Sequence, residues 1–223
     1  KSVANLTWRE VEDALGPEKL RELFAGVDIL GLGYWSLTPD FDHFLEGFLS
    51  QYGETDRPRR MFFDFADIKK KSKASFLETL TLLKRFSGKI PMTMSLNEHE
   101  GAEVFARFDT PYPEKPEAFA DGLAKLRERI GIDEVVIHTP RFAVASHASE
   151  GEAIAMQETQ TEVIRTAGAG DTFNGAYLCA SLGDLPMKER LVIANAATAF
   201  FVTHANAPTK EELLAQIEAA SDR

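Results

Sequence analysis

The stretch "TAGAGDTFNGAYL", Thr166 to Leu178, sets Gly168, Ala169 and Gly170 in a row directly before Asp171 and an apolar-periodic run. Phe173, Ala176, Tyr177 and Ala180 recur at helical spacing, so a helix with one buried face is expected from Asp171 onward, with the three small residues at its N-terminus. A helix N-terminus carries N–H groups without intrahelical partners, and absent or minimal side chains let an anion approach that backbone closely, aided by the helix dipole. Residues 168–170 are therefore a candidate anion hole. Asp171 reads in two ways. It is an acid that satisfies helix-start N–H groups, or a general base that takes a proton from a hydroxyl attacking a phosphorus bound in the hole.

Working outward, the chain alternates strand and helix patterns. Thr7 and Glu10 stand in capping-box spacing before a first helix, "PEKLRELFAG" reads as a short second helix, and "VDILGLG" reads as a buried strand. The plan repeats with "DFDHFLEGFLSQY" as helix, "RMFFDF" as strand, and "SFLETLTLLKRF" as a helix that stacks Phe76, Leu80 and Leu83 on one face and stops at Gly88. The strand "KIPMTMSL" leads to the helices "NEHEGAEVFARF" and "KPEAFADGLAKLRERIG", then to "DEVVIH" and a hairpin of "RFAVAS" with "EAIAMQ". The last third is helical. Strands alternating with helices of this length predict a three-layer α/β/α sandwich with a mainly parallel central sheet, in one domain over residues 1–223.

Bulk properties narrow the function classes. The 223 residues are 44% apolar with a formal net charge of -10, so nonspecific binding to nucleic acid or anionic lipid is disfavoured and no membrane or nucleic-acid partner is expected. Cys179 is the single cysteine; it allows no intrachain disulfide, points to a reducing, cytoplasmic setting, and is expected in the core of the helix that follows the glycine turn. No G-x-x-x-x-G-K-[ST] phosphate loop occurs, and "VDILGLGYWS" lacks the third glycine of a dinucleotide fingerprint. The five histidines show no zinc-ligand spacing, and "DIKKKSK" is expected as a solvated basic loop.

Residues 166–176, "TAGAGDTFNGA", resemble the late signature of the ribokinase-like, phosphofructokinase-B-type carbohydrate kinases, approximately D-T-x-G-A-G-D-x-F-x-G-A. The resemblance implies that Gly168, Ala169 and Gly170 hold the transferring phosphoryl group and that Asp171 activates the acceptor hydroxyl. "SLNEHEGAEVF" is similar to the family's N-x-x-E element at a strand end and gives Asn97 and Glu100; their spacing alone fits a helix-capping box, while together with the later glycine turn the resemblance implies oxygen donors to Mg²⁺. "ANAATAFFVTHANAP" looks like the small-residue helix along the adenine site, with Asn195 facing the nucleotide; its alanines also suit tight helix packing.

The chain departs from the family's pattern at four places. Arg165 replaces the acid that opens the signature, which in many relatives helps hold a monovalent cation; its guanidinium is a candidate stand-in for that cation, or a surface arginine beside a strand. The T-x-G-x-x-G nucleotide loop becomes "IHTPRFAVA", with His138, Pro140 and Ala143 at its marked places, so His138 is the nucleotide-side candidate and Pro140 cannot reproduce a backbone N–H contact. "FFDFADIKK" keeps only Asp64 of a D-x-N-x-R strand end, as a cleft acid or, preferably, a cap of the next turn. The N-terminal strands and lid that carry most acceptor contacts are expected to be missing. Together these features imply an ATP- and Mg²⁺-dependent kinase acting on a hydroxyl of a sugar or sugar acid, with homodimer formation open. A noncatalytic nucleotide- or sugar-binding regulator on the same fold is the alternative.

Overall fold

A computed structural model of the chain describes residues 7–52, 60–87, 89–157 and 159–221; Gly88, the expected helix stop, lies outside them. The chain divides into two compact units, residues 1–111 with 126–134, and residues 112–125 with 135–223. Among the described residues no helix is long and apolar enough to cross a membrane.

The first unit begins with the expected capping box. Thr7 Oγ1 accepts from the Glu10 amide at 3.2 Å while Glu10 Oε2 accepts from the Thr7 amide at 3.1 Å, which starts α1 (Trp8–Leu15). Gly16, at φ 77°, turns the chain into α2 (Pro17–Ala25). There follow β1 (Ile29–Leu32), α3 (Phe41–Tyr52), β2 (Arg60–Asp64), α4 (Lys73–Ser87), β3 (Met92–Asn97) and α5 (Glu98–Arg107). Each strand returns through a helix, so β1, β2 and β3 pair in parallel, with Leu30 opposite Met61 and Phe62 opposite Thr93. Their C-terminal ends consequently share one edge, where open α/β sheets bind ligands, and that edge presents Tyr34, Asp64 and Asn97 just beyond or at the strand ends.

The core of this unit is aromatic. Phe76, Leu80 and Leu83 bury the predicted face of α4, and Trp35, fully buried, meets Phe65 edge-on at 5.0 Å. A buried indole N–H usually takes a hydrogen-bond partner. Trp35 Nε1 donates to Thr79 Oγ1 at 2.8 Å, and that hydroxyl donates to Asp42 Oδ1 at 2.6 Å, linking the β1 exit, α4 and α3.

The division falls within α6 (Pro116–Ile130) and at the start of β4 (Glu134–His138); β4 from Val135 on, β5 (Phe142–His147) and β6 (Gly151–Met156) belong to the second unit and lie side by side in that order. The expected hairpin forms, antiparallel from Phe142 opposite Met156 to His147 opposite Gly151. Packed on it are α7 (Ala169–Leu182) and α8 (Met187–His204), followed by α9 (Lys210–Ser221). The face expected on α7 is the buried one, with Phe173 and Tyr177 in a cluster with Val136, Ala143, Ala145, Leu191 and Ala194. Two expectations need correction. The helix starts at Ala169 rather than Asp171, because Gly168 adopts the left-handed conformation that ends the preceding turn. Cys179 is exposed, not core: two residues beyond Tyr177, it falls on the opposite side of the helix.

Thr79→Val keeps the shape of the side chain and strands the Trp35 N–H. It is expected to lower stability by about 1–3 kcal/mol. Urea unfolding should show a lower midpoint at an unchanged slope, and an unchanged midpoint would contradict the bonding network.

Candidate active site

The glycine turn of the second unit is constrained from both sides. Gly168 has φ 97°, a conformation that side chains rarely tolerate, and a Cβ there would lie 3.1 Å from Phe201 Cζ on α8. The carbonyl of Gly168 accepts from both the amide and the hydroxyl of Thr172 at 2.9 Å, which fixes the first turn of α7. Of the expected anion-hole amides, Ala169 is engaged, donating to Thr166 O at 3.0 Å. The amides of Gly168, Gly170 and Asp171 have no carbonyl acceptor among the described residues. They are the open donors of the turn, and the positive end of a fourteen-residue helix stands behind them. Asp171 is exposed, and its carboxylate makes no hydrogen bond or ion pair among the described residues, so it does not serve as a cap.

Two further residues singled out in the sequence meet this turn. His138, at the end of β4, stacks on Phe173 with ring centroids 4.6 Å apart, and its Cε1 lies 3.5 Å from where a Cβ on Gly170 would sit. Burial lowers its pKa to about 4, so the ring is neutral near pH 7. Arg165 is exposed but held: its Nε donates to Ala167 O at 2.9 Å, and its guanidinium carbon lies 5.6 Å from the centre of the Phe201 ring. Phe201, which sequence reasoning missed, thus contacts both the arginine and the glycine of the turn.

Asn195 and the "IHTPRFA" turn have more structural surroundings. Asn195 is buried, and its Nδ2 donates to Ala155 O of β6 at 3.0 Å, while Oδ1 has no partner among the described residues. In the turn between β4 and β5, Thr139 Oγ1 accepts from the amides of both Arg141 and Phe142 at 3.1 Å. Those amides are spent, so this turn offers no phosphate cradle of the kind that a glycine loop provides.

In the first unit, Asn97 and Glu100 form the capping box of α5. Asn97 Oδ1 accepts from the Glu100 amide and Glu100 Oε2 accepts from the Asn97 amide, both at 2.9 Å. Asp64 acts as the expected cap of the next turn, its Oδ1 accepting from the Ala66 amide at 2.8 Å. Glu100 is pushed up to about pKa 7, chiefly by burial and also by the negative charges of Asp64 and Asp67, while the bonds to Asn97 pull the other way. Among the described residues no group of three or more His, Cys, Asp or Glu is close enough to cage a metal ion. A strained carboxylate in the field of two others, beside an amide oxygen, nonetheless fits a hard divalent cation that keeps most of its waters. Lys71, expected in a solvated loop, is instead half-buried: its Nζ donates to Thr38 O at 2.9 Å and lies 4.7 Å from the centre of the Trp35 ring.

The His138 environment predicts a pH effect. The folded chain keeps the ring neutral down to about pH 4, whereas an unfolded chain takes up that proton near 6.5. The residue's contribution is therefore complete above about pH 6.5 and is lost as pH falls towards 4, by about 1–3 kcal/mol. His138→Phe, which preserves the stack, should lose less stability than the wild type over that interval in denaturant titrations; parallel curves would contradict the neutral, buried ring.

A family model described as prokaryotic ketohexokinase matches residues 1–219. The ketohexokinase of Haloferax volcanii is 25% identical over 216 residues, which are 96% of this chain and 56% of that protein. Among solved structures, a putative ribokinase II from E. coli in complex with ATP and Mg²⁺ matches with a TM-score of 0.64 at 17% identity, over 95% of this chain and 64% of that one. The ribokinase of Thermotoga maritima matches with a TM-score of 0.60 at 19% identity, over 97% and 61%. The chain thus spans little more than half the length of the curated relative, and the structural likenesses establish a ribokinase-like α/β fold. With the family model covering nearly every residue, the chain belongs to the prokaryotic ketohexokinase family.

Proposed function

We propose that this chain carries the phosphate-handling residues of a sugar kinase that transfers the γ-phosphate of ATP to a hydroxyl of a ketohexose. The observation that carries the reading is the unengaged carboxylate of Asp171 beside the open amides of Gly170 and Asp171 at the start of α7. Fixed N–H groups aimed at a phosphoryl group stabilise charge where it develops, without reorganisation during the reaction. Asp171 accepts the hydroxyl proton as the sugar oxygen bonds to phosphorus and the bond to the ADP oxygen breaks. Asn97 and Glu100 would hold a hydrated Mg²⁺, which when bound would supply positive charge to offset that of a nucleoside triphosphate. His138, neutral at the turn, and Asn195, with an acceptor to spare, are assigned to the nucleotide side.

Arg165 takes the part that a monovalent cation plays in relatives with an acid at this place. Its bond to Ala167 O and its position over Phe201 put a permanent positive charge at the entry to the turn. The name of the Haloferax relative suggests the ketohexose class, and fructose is the first acceptor to try. One observation favours a second reading, a nucleotide- or sugar-binding regulator: the "IHTPRFA" turn is closed on itself by Thr139.

Asp171→Ala separates the two readings. In a coupled assay with ATP and fructose, a kinase should lose turnover by about 100- to 10,000-fold while its affinity for nucleotide stays nearly unchanged. Absence of transfer in the wild type, with nucleotide or sugar still bound, would favour the regulator. In the same assay, replacing K⁺ by a large organic cation at constant ionic strength should leave the rate unchanged, and a strong K⁺ requirement would refute the role given to Arg165.

A further inference from the structure

We infer that Arg107 is a positioning residue for the cation-binding end of the first unit: it clamps residues 68–72, the loop that follows Asp64 and Asp67, against the helix that carries Glu100. The inference rests on the proposed role of Asn97 and Glu100 in holding Mg²⁺. Arg107 closes α5 and is only 7% exposed, although a buried guanidinium is stable only with its hydrogen bonds filled. It fills them on one loop. Nη2 donates to Ile68 O at 2.8 Å and to Lys71 O at 2.9 Å, and Nη1 donates to Ser72 O at 3.1 Å. Nε pairs with Glu103 one turn earlier at 3.1 Å, and the guanidinium lies over the ring of Phe76 at 5.1 Å.

Glu100, Glu103 and Arg107 are spaced i, i+3 and i+7, so they lie along one face of α5. That face follows the loop from end to end. Glu100, at the start of the helix, feels the negative charges of Asp64 and of Asp67, an exposed acid 3.8 Å from Lys70 Nζ, while Arg107, two turns on, grips the carbonyls of Ile68, Lys71 and Ser72. The loop has a second anchor in Lys71, bound to Thr38 O and resting on Trp35, and Ile68 is buried beneath it. A surface arginine or a lysine could supply charge here. Only a planar fork reaches three carbonyls at once. One helix therefore carries both the carboxylate proposed to face the cation and the group that fixes the loop beside it.

The test compares wild type, Arg107→Met and Arg107→Lys. Limited trypsin digestion reads the loop directly, since Lys69, Lys70 and Lys71 lie within it, and Mn²⁺ binding followed by electron paramagnetic resonance reads the cation end without requiring turnover. Arg107→Met is expected to be nicked in this loop at least about tenfold faster and to bind Mn²⁺ about tenfold more weakly, with KM for fructose nearly unchanged and Arg107→Lys intermediate. Faster nicking with unchanged Mn²⁺ affinity would reduce Arg107 to a packing role and overturn the inference. So would unchanged behaviour in both measurements. Should Arg107→Met fail to fold, amide exchange in the wild type decides: the Ala66, Lys70 and Lys71 amides must be protected before metal is added, and exchange at unfolded rates would overturn the clamp. A wild type that binds Mn²⁺ through a clamped loop yet phosphorylates nothing would contradict the kinase reading and leave the clamp standing.

Discussion

Everything proposed for the chemistry depends on N–H groups that a helix cannot satisfy from within. In α7 they are exposed to use because Gly168 turns through φ 97° into the helix, where any side chain would strain the backbone and press on Phe201. Thr166 and Thr172 then fix the turn, the first by taking up the Ala169 amide and the second by bonding to the Gly168 carbonyl. What is left is a short set of open donors at Gly168, Gly170 and Asp171. Charge is arranged around it with little compensation: a free carboxylate in the first turn, a neutral histidine against it, and a tethered arginine before it.

The first unit solves a different electrostatic problem. Its parallel strands deliver Asp64 and Asn97 to the same edge, and α5 adds Glu100 to them, so negative charge accumulates where little solvent relieves it. The loop is held mainly through backbone carbonyls, and within it Asp67 lies 3.8 Å from Lys70 Nζ. Arg107 is spent on carbonyls and on Glu103, and Lys71 on Thr38 and the face of Trp35. Neither cation neutralises Glu100 directly, which leaves its carboxylate raised and suited to an external cation.

Features governed by neighbours in sequence were legible. The Thr7 capping box, the β5–β6 hairpin, the buried stripe of α7 and the glycine turn at its start all depend on spacings of a few residues, and these elements formed as expected. The exposed side of α7 was misjudged because a small cysteine carries no periodic signal of its own. Contacts across long separations were invisible: Phe201 reaches Gly168 from α8, and Arg107 reaches a loop 35 to 39 residues away. Both are residues whose types suggest ordinary packing or solvation. At Asn97 and Glu100 spacing alone points to a cap and the order of the two motifs points to a metal ligand; the structure forms the cap and leaves the Glu100 carboxyl with a raised pKa.

The most direct measurement is a titration of the ¹⁵N-labelled protein with a nonhydrolysable ATP analogue and Mg²⁺, following backbone amide resonances. Phosphate bound at the start of α7 must move the Gly170 and Asp171 amides further than those elsewhere in the helix. Saturation of the nucleotide with both amides unmoved would contradict the proposed anion hole.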